Sequence, residues 1–407
     1  MNQTIFSLKN VYRAYLDCRK NKRKTINALK FEWNLEKNIF SLQKELGTKK
    51  YRPGRSICFV VKEPSPREIF AASFRDRVVH HLLINEVEAI GEKKFIFDTF
   101  SCRKNKGTHA AIRRLKKFIG KITENNRREA AYLQLDISGF FMAISHDILY
   151  GFFKKLVSRQ EKTDQWKEDV LWLAKTIIFH KPTKNYIIKG NLSLFNLIPP
   201  RKSLFESPSG QGLPIGNYSS QFFANLYLNE LDQFIKRELK CGYYVRYVDD
   251  FILLDGDKDK LKRWRNKIGD FLKGYLNLEL SLKKQILQPL KAGLGFLGYF
   301  IKPDHTLVRQ KTAGRLKEKL SKLNRINEQL VLGNARGKQM FKKTEQEADQ
   351  ENEKLRKTLA VINSYYGHFK HSASFNLRKN IFEDHLGGLK EKFLPNLDYS
   401  SLKINEN

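Results

Sequence analysis

Two stretches of the chain place carboxylates where apolar runs end. Asp136 closes AAYLQLD, and Asp249 and Asp250 lie inside YYVRYVDDFILLDG, between two strand-like segments. An isolated Asp-Asp is simply a good turn former. The second acidic site shifts the reading, because a solvated loop residue at 136 would need no buried strand beneath it. Carboxylates converging at strand ends suit hard divalent cations, and two such ions about 3.5–4 Å apart can activate an attacking hydroxyl and stabilise a leaving oxygen. Phosphoryl or nucleotidyl transfer is that reaction class.

The elements that must position these acids are legible in outline. Between the acids, residues 210–221 read GQGLPIGNYSSQ and lead into the helical pattern SSQFFANLYLNELDQFIKREL. Such a loop brings backbone N–H groups close to a nucleotide or template strand; it also fits a plain Gly-rich connection capped by Ser219 or Ser220. Residues 130–141 have the composition of a buried strand, and the YVDD segment reads as strand, two-residue turn, strand. Residues 9–50 combine a basic cluster (Arg19, Lys20, Lys22, Arg23, Lys24) with Leu29, Phe31, Leu35, Ile39, Leu42 and Leu46 at helical spacing, which predicts a basic helical extension. From Tyr51 to about Val79, β-branched runs around Pro64 and Pro66 predict a β-hairpin with basic residues near its tip. A helix follows, in RVVHHLLINEVEAI. Residues 181–209 suit loops and short strands, and a charged helical region runs from Pro303 to about Leu386, interrupted near Gly333 and Gly337.

A length of 407 residues fits two or three domains, and 41% hydrophobic residues suffice for a core. Seventy-six Lys and Arg against 43 Asp and Glu leave a net charge of +33, which points to a polyanionic partner, nucleic acid first. No run of 18 apolar residues predicts a bilayer span, and no lipidation or leader pattern is present at the start of the sequence; the expectation is a cytoplasmic protein with no membrane partner. Cys18, Cys58, Cys102 and Cys241 are scattered, as reduced thiols would be. Gly293-Leu-Gly295-Phe-Leu-Gly298 satisfies a dinucleotide-binding pattern formally, but strand-like YFIKPD follows it where a helix would be required. His80-His81 and His146-Asp147 lack zinc-like partners and suit helix-surface or cap roles.

The ordered set of a basic hairpin, LDISGFF, QGLPIGNYSSQFFANLYLN, YVDD, SLKK and GFLGY resembles a reverse transcriptase over roughly residues 20–380. Within that family, LPIGNYSSQ, together with IIKGNLSLFNLIPPRKSLF, RKNKGTH and YYGHFKHSASFNLRK, is similar to the diversity-generating retroelement branch, a relative of group II intron reverse transcriptases. The resemblance implies an α+β right-hand polymerase with fingers, an antiparallel-sheet palm with helices, and a helical thumb. Its implied layout is an N-terminal extension at 1–50, fingers at 51–130, palm at 131–303 with a finger-side insertion at about 165–210, thumb at 304–390 and a loose tail at 391–407.

Site roles follow residue by residue from the same resemblance. Asp136, Asp249 and Asp250, with the carbonyl of Ile137, would hold two Mg²⁺ ions, Mn²⁺ being a substitute. Phe141 matches the aromatic sugar gate, its other reading being plain core. Lys62 and Arg67 match the triphosphate-binding pair, and Ile215, Gly216 and Gln221 the nucleotide-facing box. Lys284 matches the general acid for the leaving pyrophosphate, because it precedes Gln-Ile; Lys283 is its competitor. Phe296, Leu297, Gly298 and Tyr299 match the primer grip, and Arg103, Lys104, His368 and Lys370 join the primer and template contacts.

The wider family has Gln where this chain has Ile215, and Pro where it has Gln221. Loss of an amide beside the incoming nucleotide leaves only shape and apolar contact, which relaxes discrimination. The implied function is an RNA-templated DNA polymerase, error-prone at template adenines, making mutagenised cDNA. Implied partners are a structured RNA template, a DNA or RNA primer, deoxynucleotides and a small basic accessory protein oligomer. Alternative readings are a group II intron-like or defence-associated reverse transcriptase, and a non-catalytic RNA-binding scaffold.

Overall fold

A computed structural model describes residues 4–20, 22–63, 65–335 and 345–405. The chain divides into two compact units: residues 1–114 with 131–288, and residues 115–130 with 289–407. This differs from a palm running to residue 303, since the chain changes unit after Gln288.

The first unit begins with α1 (Leu8–Arg19), α2 (Ile26–Glu32) and α3 (Leu35–Gly47). They are part of its core, not an appendage. Val11, Ala14, Tyr15 and Cys18 of α1, Phe31 of α2 and Leu42 and Leu46 of α3 are buried in one cluster with Phe74, Val78 and Leu82. Leu29, expected on the buried stripe, is exposed instead. The expected hairpin is present as β1 (Ser56–Val61) and β2 (Arg67–Ala71), antiparallel with Val61 opposite Arg67. Pro66 lies in its connection, while Pro64 is outside the described residues. Next come α4 (Phe74–Lys94) and α5 (Thr108–Ile122), whose residues from Leu115 onward fall in the second unit.

A second sheet starts with β3 (Ala131–Asp136), buried at all six positions. Then follow α6 (Phe140–Ala143), α7 (His146–Ser158) and α8 (Asp164–Ile178), then β4 (Tyr186–Ile188), which adds to β1 in parallel. Helix α9 (Tyr218–Gln233) is capped by Asn217, while Ser219 and Ser220 are buried inside its first turn. The hairpin of β5 (Tyr243–Tyr247) and β6 (Asp250–Asp255), the helix α10 (Lys258–Leu276) and β7 (Ile286–Pro289) complete a four-stranded sheet of order β5-β6-β3-β7. Leu133, Leu135, Phe251 and Leu253 pack with Leu261, Ile268 and Leu272 of α10 in the core.

The second unit holds a three-stranded meander of β8 (Leu294–Phe296), β9 (Tyr299–Ile301) and β10 (Thr306–Val308), followed by α11 (Gln310–Ala335), α12 (Glu345–Phe369) and α13 (Phe375–His385). Gly333 lies within α11, and Gly337 is outside the described residues. Where a loose tail was expected, β11 (Phe393–Pro395) and β12 (Leu402–Ile404) form a hairpin whose Phe393 and Leu402 are buried with Ile362, Tyr366 and Ile381. An α+β fold is therefore present, with antiparallel sheets among dominant helices.

Because Leu42 is fully buried in the shared core, Leu42→Ala should destabilise the protein by about 2–5 kcal/mol in urea denaturation. A loss near zero would mean that the N-terminal helices are dispensable.

Candidate active site

The β3–β6 register settles the first question the sequence poses. Asp136 lies directly opposite Asp250, and Tyr247 pairs with Asp250 across the β5–β6 hairpin, leaving Val248 and Asp249 as a two-residue turn. Residues directly opposite in an antiparallel pair share a face with Cβ atoms about 4.5–5.5 Å apart. Three acids from two distant segments thus meet at one end of the sheet. Val248 has φ +59°, a left-handed conformation that hairpin turns normally give to Gly.

Lys284 Nζ donates to Asp136 Oδ1 at 2.6 Å, although most of its side chain, like that of Lys283, is exposed. Gln134, two residues before Asp136 on the same strand face, donates through Nε2 to Asp250 Oδ1 at 3.0 Å. The acids repel one another in a poorly solvated place. Burial, reinforced by the charge of Asp136, raises Asp249 from its ordinary 3.8 to about 6, while Lys284 and Lys202 oppose the rise. Burial and the charges of Asp136 and Asp249 raise Asp250 to about 7 against the pull of the Gln134 hydrogen bond. Burial pulls the Lys284 ammonium down, but its bond to Asp136 and the three negative charges outweigh that and raise it.

Among the described residues, no group of three His, Cys, Asp or Glu side chains forms a ready cage for a metal ion. Magnesium seldom uses such a cage: it keeps waters and takes one or two carboxylates plus substrate phosphates. The donor set fits that habit, with Asp136 and Asp249 charge-coupled and Asp250 drawn toward Gln134. The bridge opposite Leu280 is made by the neighbours of Ile137: Ser138 N–H donates to the Glu279 carbonyl, and Ser281 N–H to the Asp136 carbonyl. The carbonyl of Ile137 is not consumed by that bridge.

A second group of expected residues also converges. Phe141 and Ile215 both pack against the cluster of Cys58, Phe70, Met142 and Leu204, and the Ile215 carbonyl accepts the Phe70 N–H at 2.9 Å, tying the loop to β2. Gly216 has φ +120°, and a Cβ there would lie 2.6 Å from the Ile69 side chain, so glycine is required. Gln221 is exposed on α9, Lys62 is exposed at the end of β1, and Arg67 opens β2.

A family model described as reverse transcriptase (RNA-dependent DNA polymerase) matches residues 60–301, more than half of the chain. The chain belongs to the reverse transcriptase family. Escherichia coli (strain K12) protein YkfC is 23% identical over 321 residues, 70% of this chain and 75% of that protein. The putative COX1/OXI3 intron 2 protein of Saccharomyces cerevisiae is 22% identical over 298 residues, 64% of this chain but 34% of that protein. Solved structures similar to it include apo telomerase from Candida Tropicalis truncated from the C-terminal domain, with TM-score 0.45, 14% identity and coverage of 62% of this chain and 55% of that one. Telomerase from Candida albicans in complex with a TWJ fragment of telomeric RNA gives TM-score 0.46 and 11% identity, covering 83% and 60%. The reverse transcriptase thus spans less than two thirds of these telomerase chains.

In the second unit of this reverse transcriptase, Phe296 and Tyr299 flank a tight turn at Leu297 and Gly298, both at positive φ. The motif that formally matched a dinucleotide loop is therefore a β-hairpin. The Tyr299 hydroxyl donates to the His368 carbonyl at 2.7 Å, and the two rings lie 4.3 Å apart with their planes tilted by 32°, so two expected primer segments far apart in sequence meet. Lys370 is exposed beside them on the chain. Arg103 is different from expectation. Its guanidinium, 5% exposed, forms a bidentate pair with Glu92 and donates to the Ile96 and Thr99 carbonyls, so it braces the fold instead of facing nucleic acid. Lys104 remains 75% exposed, paired with Glu88. His80 and His146 are buried rather than on helix surfaces, bonded to Ser219 Oγ and the Gly212 carbonyl.

Sequence reasoning missed Gln134, whose signal was its i−2 relation to Asp136, and Lys202, for which no local signal exists. Both acids of the hairpin have folded-state pKa values above the ordinary one, so each holds its proton more tightly when folded. Their ionisation costs the metal-free fold nothing below about pH 4 and its full penalty above about pH 7. Asp250→Asn, which keeps an acceptor for Gln134, should therefore raise the metal-free Tm at pH 8 and leave it near the parent's at pH 4. Equal shifts at both pH values would contradict the charge-crowding account.

Proposed function

We propose that the protein is an RNA-templated DNA polymerase of the diversity-generating retroelement branch. The carrying observation is Asp136 opposite Asp250, with Asp249 in the adjoining turn and Lys284 on Asp136; family membership gives this cluster its reaction class. The net charge of +33 suits a structured RNA template, a primer and deoxynucleotides.

The reaction is displacement at the α-phosphorus of a deoxynucleoside triphosphate. The primer 3′ hydroxyl gives up its proton to solvent, its oxygen forms the new P–O bond, and the bond to the pyrophosphate oxygen breaks. Asp136 and Asp249, with Asp250 and the Ile137 carbonyl beside them, would hold two Mg²⁺ ions, which supply activation of the hydroxyl and stabilisation of the leaving oxygen. Lys284 stays protonated through its contact with Asp136 and gives its proton to the leaving pyrophosphate. Lys62 and Arg67 neutralise the triphosphate. Phe141 excludes a ribose 2′-hydroxyl, and Ile215, fixed to the same apolar cluster, offers the base no hydrogen bond. Error at template adenines, mutagenised cDNA and a small basic accessory protein complete this reading, which rests on the LPIGNYSSQ box.

A group II intron-like role is the second reading, favoured by the similarity to a putative intron protein. Flanking DNA separates the two: a template and variable repeat pair supports the first, a surrounding intron the second.

Sequencing products made by the purified protein on a defined RNA with Mg²⁺ tests activity and error spectrum together, with Asp249→Ala expected to abolish synthesis. Ile215→Gln should lower misincorporation opposite template adenine; an unchanged spectrum would remove Ile215 from the account. Lys284→Ala should slow single-nucleotide addition by about 100-fold, the scale of lost general acid catalysis, whereas Lys283→Ala should stay near the parent rate.

A further inference from the structure

Beneath the YVDD turn lies a charge pair with no solvent around it. Tyr244 and Arg246, two apart on β5, share a strand face, and that face meets Asp232 of α9. Arg246 Nε and Nη2 donate to the two Asp232 oxygens at 2.8 and 2.6 Å, and the Tyr244 hydroxyl donates to Asp232 Oδ1 at 2.7 Å. Arg246 is 1% exposed and Asp232 fully buried. The bidentate pair consumes the Nε–Nη2 edge of the guanidinium and leaves Nη1 to donate to the Val248 carbonyl of the turn at 2.9 Å and, more weakly, to Asn225 Oδ1 at 3.4 Å. The Arg246 backbone is fixed as well, its N–H donating to the Asp98 carbonyl and its carbonyl accepting the Phe100 N–H, both at 3.0 Å.

Two facts ask what this arrangement is for. A buried ion pair adds little net stability over well-packed apolar residues of similar size. Val248, which Nη1 holds, is a half-buried β-branched residue at φ +59°, a genuine backbone outlier where glycine would be at ease. Asp249 follows immediately, so the angle at Val248 sets where that carboxylate points.

We propose that the Asp232–Arg246 pair is a positioning clamp: it pins the Val248 carbonyl, holds the turn in its strained conformation and so aims Asp249 at Asp136. The pair touches no reacting atom. This inference rests on the polymerase reading for its kinetic test and stands independently in its thermal test.

The test removes the clamp without leaving an unpaired buried charge or hydroxyl, using the triple variant Tyr244→Phe, Asp232→Leu, Arg246→Met. It should melt cooperatively and bind template–primer as the parent does. Its kcat should fall by about 100-fold, the scale of an ångström-sized misplacement, with a higher Mg²⁺ requirement and an unchanged KM for deoxynucleotide. Adding Val248→Gly should recover a substantial part of kcat, because glycine adopts the required angle without being held. In metal-free protein, Val248→Gly should be more favourable to Tm in the parent, where the clamp enforces strain, than in the triple variant, by about 2 °C or more. A triple variant that keeps its kcat, or a Val248→Gly effect identical in both backgrounds, overturns the clamp. If the triple variant does not fold, Asp232→Asn supplies the same comparison: kcat lowered about tenfold and restored by Val248→Gly supports it, and unchanged kcat overturns it. A parent without any polymerase activity defeats the functional reading instead, and leaves the metal-free comparison to decide the clamp.

Discussion

Bringing three carboxylates to one end of an antiparallel strand pair is unfavourable in the absence of a cation, and the architecture around them exists to enforce it. The acids sit where β3 and β6 emerge from a core of Leu133, Leu135, Phe251 and Leu253, so β3 cannot slide by one residue without exchanging that apolar set for the face that carries Gln134 and Asp136. Register is thereby fixed by hydrophobic burial, and the carboxylates are carried along with it. Gln134 and Lys284 then take up one acid each. Burial, with the mutual repulsion added to it, raises Asp249 and Asp250, and divalent cations would relieve both.

What could be read from the sequence follows from how local each signal is. Strand β3, the YVDD hairpin and the finger hairpin announce themselves through contiguous apolar runs and turn residues, and the acids stand at their ends. Lys284 was separable from Lys283 only by resemblance, since both are basic residues of one short turn; the contact with Asp136 distinguishes them. Arg103 reads as a surface cation in RKNKGTH because its partners, Glu92, Ile96 and Thr99, come from a helix end and its following loop and leave no spacing pattern. The N-terminal helices read as a basic extension for a related reason. Their basic residues dominate the composition, while the buried stripe of Val11, Ala14, Tyr15 and Cys18 includes small and polar-looking types. Phe393 and Leu402 lie in short segments with no sustained apolar alternation, and their meeting on the helical core accompanies the hairpin.

Glycines within the recognisable boxes record close approaches. Gly139 adopts φ +55°, and a Cβ on it would lie 2.5 Å from the Arg201 carbonyl, just as Gly216 accommodates β2. These two positions mark where separate segments touch backbone to side chain or backbone to backbone, and a motif-based reading sees the glycine without seeing the visitor.

The segment from Lys181 to Ser209 has a wider consequence than its irregular appearance implies. Its β4 strand extends the sheet beside β1, its Ser203 hydroxyl and Leu204 amide satisfy the buried Glu68 carboxylate of β2, its Arg201 carbonyl presses on Gly139 three residues after Asp136, and its Lys202 lends positive charge toward Asp249. One loop is thus soldered to the β1–β2 hairpin and to the acidic centre at once. Length changes there would be transmitted to both, so this stretch, unlike most surface connections, should tolerate neither trimming nor grafting between relatives.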